Sequence, residues 1–87
     1  MRLLVVEDDV KMASLIQRAL VGEGYAVDLA ATGPEALWMG QEFPYDAIVL
    51  DAMIPAPDGF EVCRHLRAAG RWMPVVMLTA RDSVEDR

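Results

Sequence analysis

The sequence has little from which to build a disulfide, a thiolate metal centre or a nucleic-acid-binding face. Cysteine occurs once in 87 residues, as Cys63. One thiol closes no internal disulfide and is too few for a cysteine metal cluster, which suits a reducing compartment such as the cytoplasm. Basic residues are outnumbered, 8 Lys and Arg against 14 Asp and Glu. The resulting net charge of -6 removes the phosphate attraction that supplies most nucleic-acid affinity, so DNA binding by these residues is not expected. The first apolar run, Leu3 to Val6, is cut short by Glu7-Asp8-Asp9, leaving neither a signal-peptide core nor a membrane span. The chain has no linker, repeat or low-complexity stretch.

What is present is a chain with 54% apolar and 25% charged residues, enough for one small core. At this length a fold buries only about 60–65% of the unfolded chain's surface, so one domain is the limit. Short apolar runs alternate with longer stretches of helical period, the pattern of βα units and a parallel sheet. Leu3-Leu4-Val5-Val6 reads as a strand covered on both faces. Val10 to about Val21 carries Met12, Leu15, Ile16, Ala19 and Leu20 at helical spacing and stops at Gly22 and Gly24. Tyr25 to Leu29 gives a second strand, and Thr32-Gly-Pro-Glu35 reads as a capping box opening a helix toward Phe43-Pro44. Ala47 to Leu50 is a third strand. Asp58-Gly59-Phe60-Glu61 caps a third helix that ends at Gly70. Pro74 to Leu78 is a fourth strand, and Ser83 to Asp86 reads as the cap of a further helix. The expectation is a doubly wound parallel α/β sheet in which every strand is joined to the next by a helical crossover.

Such sheets place their sites beyond the carboxyl ends of the strands. Glu7-Asp8-Asp9 follows the first strand, Asp51 the third and Thr79 the fourth, whereas the second ends in unreactive alanines. With strands one, three and four adjacent, carboxylates and a hydroxyl converge. Carboxylates held close together repel, and proton uptake or a cation relieves the repulsion. Oxygen ligands without imidazole or thiolate favour Mg²⁺. Asp9 reads better as a helix N-cap than as a ligand. Asp51 has no helix immediately after it, which weakens that reading there.

At these positions the chain resembles the receiver domains of two-component response regulators. Leu4 to Asp9, Leu50 to Pro55 with Asp58-Gly59, and Val76 to Ala80 match three signatures of that family in order and separation. Their wording is most similar to the OmpR/PhoB-like subfamily. The resemblance implies a CheY-like, flavodoxin-like fold with strand order 2-1-3-4, and a switch for transcription rather than a turnover enzyme. It implies that Asp51 takes a phosphoryl group from a histidine kinase, with Mg²⁺, or Mn²⁺, held by Glu7, Asp8, Asp51 and the backbone carbonyl of Met53. Thr79 would bond the phosphoryl oxygen, and Ala80 would be the small neighbour that leaves room for it.

The match also implies elements that residues 1–87 do not supply. Family members continue into a fifth strand and helix, with a lysine after that strand. The only lysine here is Lys11, in the first helix. The reading is thus of a partial receiver over residues 1–87, with the rest of the receiver and any DNA-binding effector domain absent. Self-association is expected, through strand addition at an uncovered fourth strand, exchange of elements or packing of exposed faces. DNA would be met only through the absent domain. Two other readings stand beside it. A haloacid-dehalogenase-like Mg²⁺-dependent phosphatase would want a second acid two residues after the nucleophile, where this chain has Met53. A pseudo-receiver acting only as an interaction module would normally have lost one of the acids. His65 reads as a solvated helix position, Cys63 as a small core residue, and Trp38 and Trp72 as packing or edge residues. Arg64, Arg67 and Arg71 gather near the end of the third helix, where positive charge complements the helix dipole.

Overall fold

The computed structural model describes residues 1–78; the strand-four hydroxyl Thr79, Ala80 and the helix cap at Ser83 lie outside them. The order of elements is β1 (Arg2–Val6), α1 (Val10–Gly22), β2 (Ala26–Ala30), α2 (Gly33–Glu42), β3 (Ala47–Asp51), α3 (Gly59–Ala68) and β4 (Val75–Leu78). The four strands form one parallel sheet in the order β2-β1-β3-β4. The alternation of strands and helices suggested the parallel sheet, and the resemblance implied this order. The register pairs Val6 with both Ala30 and Leu50, and Asp51 with Leu78. The carboxyl ends of β1 and β3 are therefore neighbours, each one residue or less from an acid.

The strand alternation divides the core. Leu4, Val6, Ile48 and Leu50 are almost completely buried and belong to one cluster with Ala36 of α2 and Val62 and Leu66 of α3. Leu3 and Val5 point to the opposite face, the side of α1, where Ala13 is buried. Helices α2 and α3 approach closely because Gly40 has no side chain: a Cβ there would lie 2.9 Å from the Leu66 side chain. Burial of each such aliphatic side chain contributes roughly 1.5–3 kcal/mol.

The helix ends explain the boundaries. Asp9 caps α1 by accepting from the Lys11 and Met12 N–H groups. Asp58 caps α3 with a full capping box: its side chain accepts from Glu61 N–H at 3.0 Å, and Glu61 accepts from Asp58 N–H at 2.8 Å. The box read at Thr32 is only half formed. Thr32 accepts from Glu35 N–H at 3.2 Å, but the Glu35 carboxylate reaches one residue further back, to Ala31 N–H at 2.9 Å. Helices α1 and α3 end in the same way. Gly24 (φ 96°) and Gly70 (φ 82°) take the left-handed conformation. Tyr25 N–H then bonds Leu20 C=O, and Arg71 N–H bonds Leu66 C=O, the long bond of a Schellman motif. Strand β2 begins at Ala26, one residue later than the apolar pattern suggested, because Tyr25 belongs to that helix end.

At the end of the sheet where the strands begin, Arg2 is held by Asp28 and Asp46. Its guanidinium bonds Asp28 Oδ2 at 3.0 and 3.2 Å, and its backbone N–H bonds Asp46 at 2.7 Å. The Tyr45 hydroxyl donates to the same Asp28 oxygen at 2.6 Å. That bond and the neighbouring guanidinium hold the Asp28 carboxyl below its usual pKa, whereas burial first and then Asp28 push the Tyr45 hydroxyl above its own. No helix of the described residues is long and apolar enough to cross a membrane.

Candidate functional site

Strand pairing alone brings the acids together. β1 delivers Glu7 and Asp8 just past Val6, and β3 ends on Asp51 in the adjacent position. One carboxylate oxygen from each of Glu7, Asp8 and Asp51 lies within 4.8 Å of the other two. Asp9 is outside the group, its carboxylate turned to the first turn of α1. Asp9 is thus the helix cap that the sequence suggested.

The three carboxylates differ in surroundings. Asp51 is buried, and one of its oxygens accepts from Met53 N–H at 2.9 Å, which fixes the rotamer. Asp8 is exposed, and Glu7 is half-buried. Burial of Glu7 raises its pKa; the Asp9 N–H, 3.0 Å from its carboxylate, opposes that rise, and the negative charge of Asp51 adds to it. Three acids that share so little space are electrostatically costly without a cation. A hexacoordinate ion with bonds of about 2.0–2.1 Å holds its oxygen ligands roughly 3–4 Å apart, so the group fits Mg²⁺ after small side-chain shifts. The donor set contains only oxygen, which also suits a hard cation.

Access is from both sides of Asp8. A cleft of about 300 Å³ runs between α1 and the end of β2, lined by Glu7, Asp8, Ser14 and Gln17 among others. A second, of about 370 Å³, lies between Asp8, the start of α2 and Pro55-Ala56. The loop after Asp51 is fixed by backbone bonds. Ala52 N–H bonds Leu78 C=O at 2.7 Å, and Gly59 N–H bonds Ala52 C=O at 3.3 Å. Gly59 sits so close that a Cβ there would lie 2.6 Å from Ala52 Cα and 2.7 Å from Asp51 C=O. The pairing of Asp58 with Gly59 was visible in the sequence, but not that the glycine serves close packing against the end of β3 and Ala52. Met53 is half exposed beside Asp51, and no acid stands at that position. His65 is exposed on α3, and Cys63 packs partly buried against the core, as read.

The family described as the response regulator receiver domain matches residues 3–87. Among curated proteins, the transcriptional regulatory protein TcrA of Mycobacterium tuberculosis is 54% identical over 86 residues, 99% of this chain and 34% of its own length. The response regulator MprA of Mycobacterium avium is 51% identical over 87 residues, 100% of this chain and 38% of its own length. The chain thus spans about a third of the length of these relatives. Among solved structures, a Francisella response regulator receiver domain superposes with a TM-score of 0.89 at 36% identity, covering 98% of this chain and 70% of that one. The response regulator TrrA of Thermotoga maritima, solved in complex with Mg²⁺ and BeF, gives 0.88 at 33% identity over 98% of this chain and 74% of that one.

Proposed function

The chain belongs to the response regulator receiver family, and from that premise we propose that Asp51 is the phosphoacceptor of a two-component signalling switch. The observation that carries this reading is the meeting of Glu7, Asp8 and Asp51 at the ends of two adjacent strands. A sensor histidine kinase supplies the phosphoryl group. An oxygen of Asp51 attacks phosphorus, the bond from phosphorus to the donor histidine nitrogen breaks, and an acyl phosphate forms. Mg²⁺ would be held by Glu7, Asp8, Asp51 and the Met53 backbone carbonyl, with Mn²⁺ as a substitute. When bound it neutralises charge on the transferring group. Thr79 and Ala80 serve as the hydroxyl and the small neighbour of the phosphoryl oxygens. The Met53 N–H bond to Asp51 orients the nucleophile, and burial of Asp51 keeps bulk water from competing. Support for the cation comes from the all-oxygen donor set and from a structural neighbour solved with Mg²⁺ and BeF.

The transcriptional regulatory protein TcrA among the relatives supports a transcriptional output, and the single cysteine suits a switch that works in the cytoplasm. Contact with DNA falls to residues other than these, given the charge of -6. Self-association belongs to the same proposal. Among the described residues no strand pairs with the outer edge of β4, where Val76 and Leu78 are exposed. An open apolar edge of this kind invites pairing with another chain. Light scattering over a dilution series tests this, and a monodisperse monomer at every concentration would contradict it.

Phosphorylation is tested by incubating the chain with Mg²⁺ and acetyl phosphate and measuring intact mass. One added phosphoryl group, absent in Asp51→Asn and without the metal, is expected. Equal labelling of the Asp51→Asn variant would overturn the assignment.

A further inference from the structure

The pole of the sheet opposite the acids carries a feature that the phosphoacceptor reading does not use. Three of the six basic residues among the described positions, Arg64, Arg67 and Arg71, fall within eight residues of sequence. In a chain of charge -6, the ion pair formed among the described residues is that of Arg2 with Asp28, so these three arginines meet no carboxylate there. Two of them are nevertheless held in place. Arg67 Nη1 bonds the carbonyls of Arg71 and Met73 at 2.9 and 2.8 Å, and Arg71 Nη2 bonds the Phe43 carbonyl at 3.2 Å. These bonds consume few of the donors of each guanidinium and none of its charge. Complementing the C-terminal dipole of α3 accounts for positive charge at this end, but not for the side chains around it.

Those side chains are aromatic and exposed. The Arg67 guanidinium lies 5.5 Å over the ring of Trp72, which is 72% exposed. Trp38, 59% exposed, packs edge-on against Phe43 at 5.6 Å, and Phe43 is the residue whose carbonyl holds Arg71. Trp72 thus stacks on a cationic strip whose Arg67 and Arg71 are held, and Trp38 adjoins it through Phe43. Tryptophan and arginine are the residues that dominate binding energy in protein interfaces, and immobilised side chains lose less entropy on association.

We propose that this strip, Arg64, Arg67 and Arg71 between Trp38 and Trp72, docks an acidic segment of a partner protein. Its carboxylates would pair with the guanidiniums, and an apolar residue would lie against a tryptophan. The overall charge favours this occupant over extended polyanions, since a nucleic acid or an anionic membrane would also meet the surrounding acids.

The test uses a short peptide of glutamate punctuated by leucine, and the same peptide with glutamine for glutamate. Because Trp72 stacks on the strip and Trp38 adjoins it, intrinsic fluorescence and the two indole N–H resonances report on it alone. Saturable changes with the glutamate peptide, lost with the glutamine peptide and weakened by salt, are expected. Arg64→Glu combined with Trp72→Ala alters two exposed side chains and should leave the melting curve in place while weakening binding by at least about tenfold. The proposal is overturned by absence of saturable binding, by equal affinity in the double variant, or by indole changes that arise only with RNA or with phosphatidylserine vesicles.

Discussion

Replacing Gly59 by alanine sets two effects of opposite sign against each other. Gly59 is the first residue of α3, and its φ is not positive, so helix propensity alone favours alanine by about 1 kcal/mol. The added Cβ, however, would lie 2.6 Å from Ala52 Cα, 2.7 Å from Asp51 C=O and 3.1 Å from Ala52 N. All three are backbone atoms of the Asp51-Ala52 segment, and no side-chain rotation relieves the overlap. Overpacking of this kind costs roughly 1–3 kcal/mol, and relief requires α3 to move away from β3. The net expectation is a loss of up to about 2 kcal/mol, which in a domain of this size lowers Tm by up to about 15 °C, and a gap of roughly 1–3 kcal/mol below a glycine-to-alanine change without the overlap. Gly22→Ala is the control: its Cβ would meet nothing within 4 Å, and its φ is also not positive. Thermal melts of the two variants, with amide shifts of Asp51 to Met53 as a local readout, check the reasoning. A Gly59→Ala protein as stable as Gly22→Ala, with those shifts unmoved, would refute it.

Two further outcomes are expected. The carboxyl of Asp28 is held below its usual pKa by the Tyr45 hydroxyl and then by Arg2, so its stabilisation is full above the unfolded value and is lost as pH falls through the lower folded value. Tyr45→Phe should therefore be less stable than the parent by roughly 1 kcal/mol at neutral pH, and the gap should close below about pH 4, as followed by urea unfolding at several pH values. Met53 is half exposed beside Asp51, and if Asp51 carries the acyl phosphate proposed above, the long apolar side chain of Met53 would hinder attacking water. Met53→Ala should shorten the lifetime of the acyl phosphate without preventing its formation, and equal decay rates would count against this.

Much of the fold was legible because parallel sheets write themselves simply. Continuous apolar runs such as Leu3 to Val6 mark strands buried on both faces, and Asp9, Asp58, Gly24 and Gly70 mark helix ends by local chemistry. The acids were legible because the position of a residue after a strand fixes which end of the sheet it occupies. What was not legible depended on tertiary approach. Nothing near Gly59 in sequence reveals that Ala52 will pack against it, and nothing near Tyr45 reveals Asp28 seventeen residues away. The arginine cluster was visible in the sequence, but not that Arg67 and Arg71 are held by carbonyls of Met73 and Phe43.

The meeting of Glu7, Asp8 and Asp51 in one cation site is tested most directly by titrating the chain with Mg²⁺ while following backbone amide shifts. Saturable shifts confined to the ends of β1 and β3 are expected, abolished in Asp8→Asn, with the fluorescence of Trp38 and Trp72 at the far pole unchanged. Shifts that leave Asp8 and Asp51 untouched, or that persist in full in Asp8→Asn, would contradict the site.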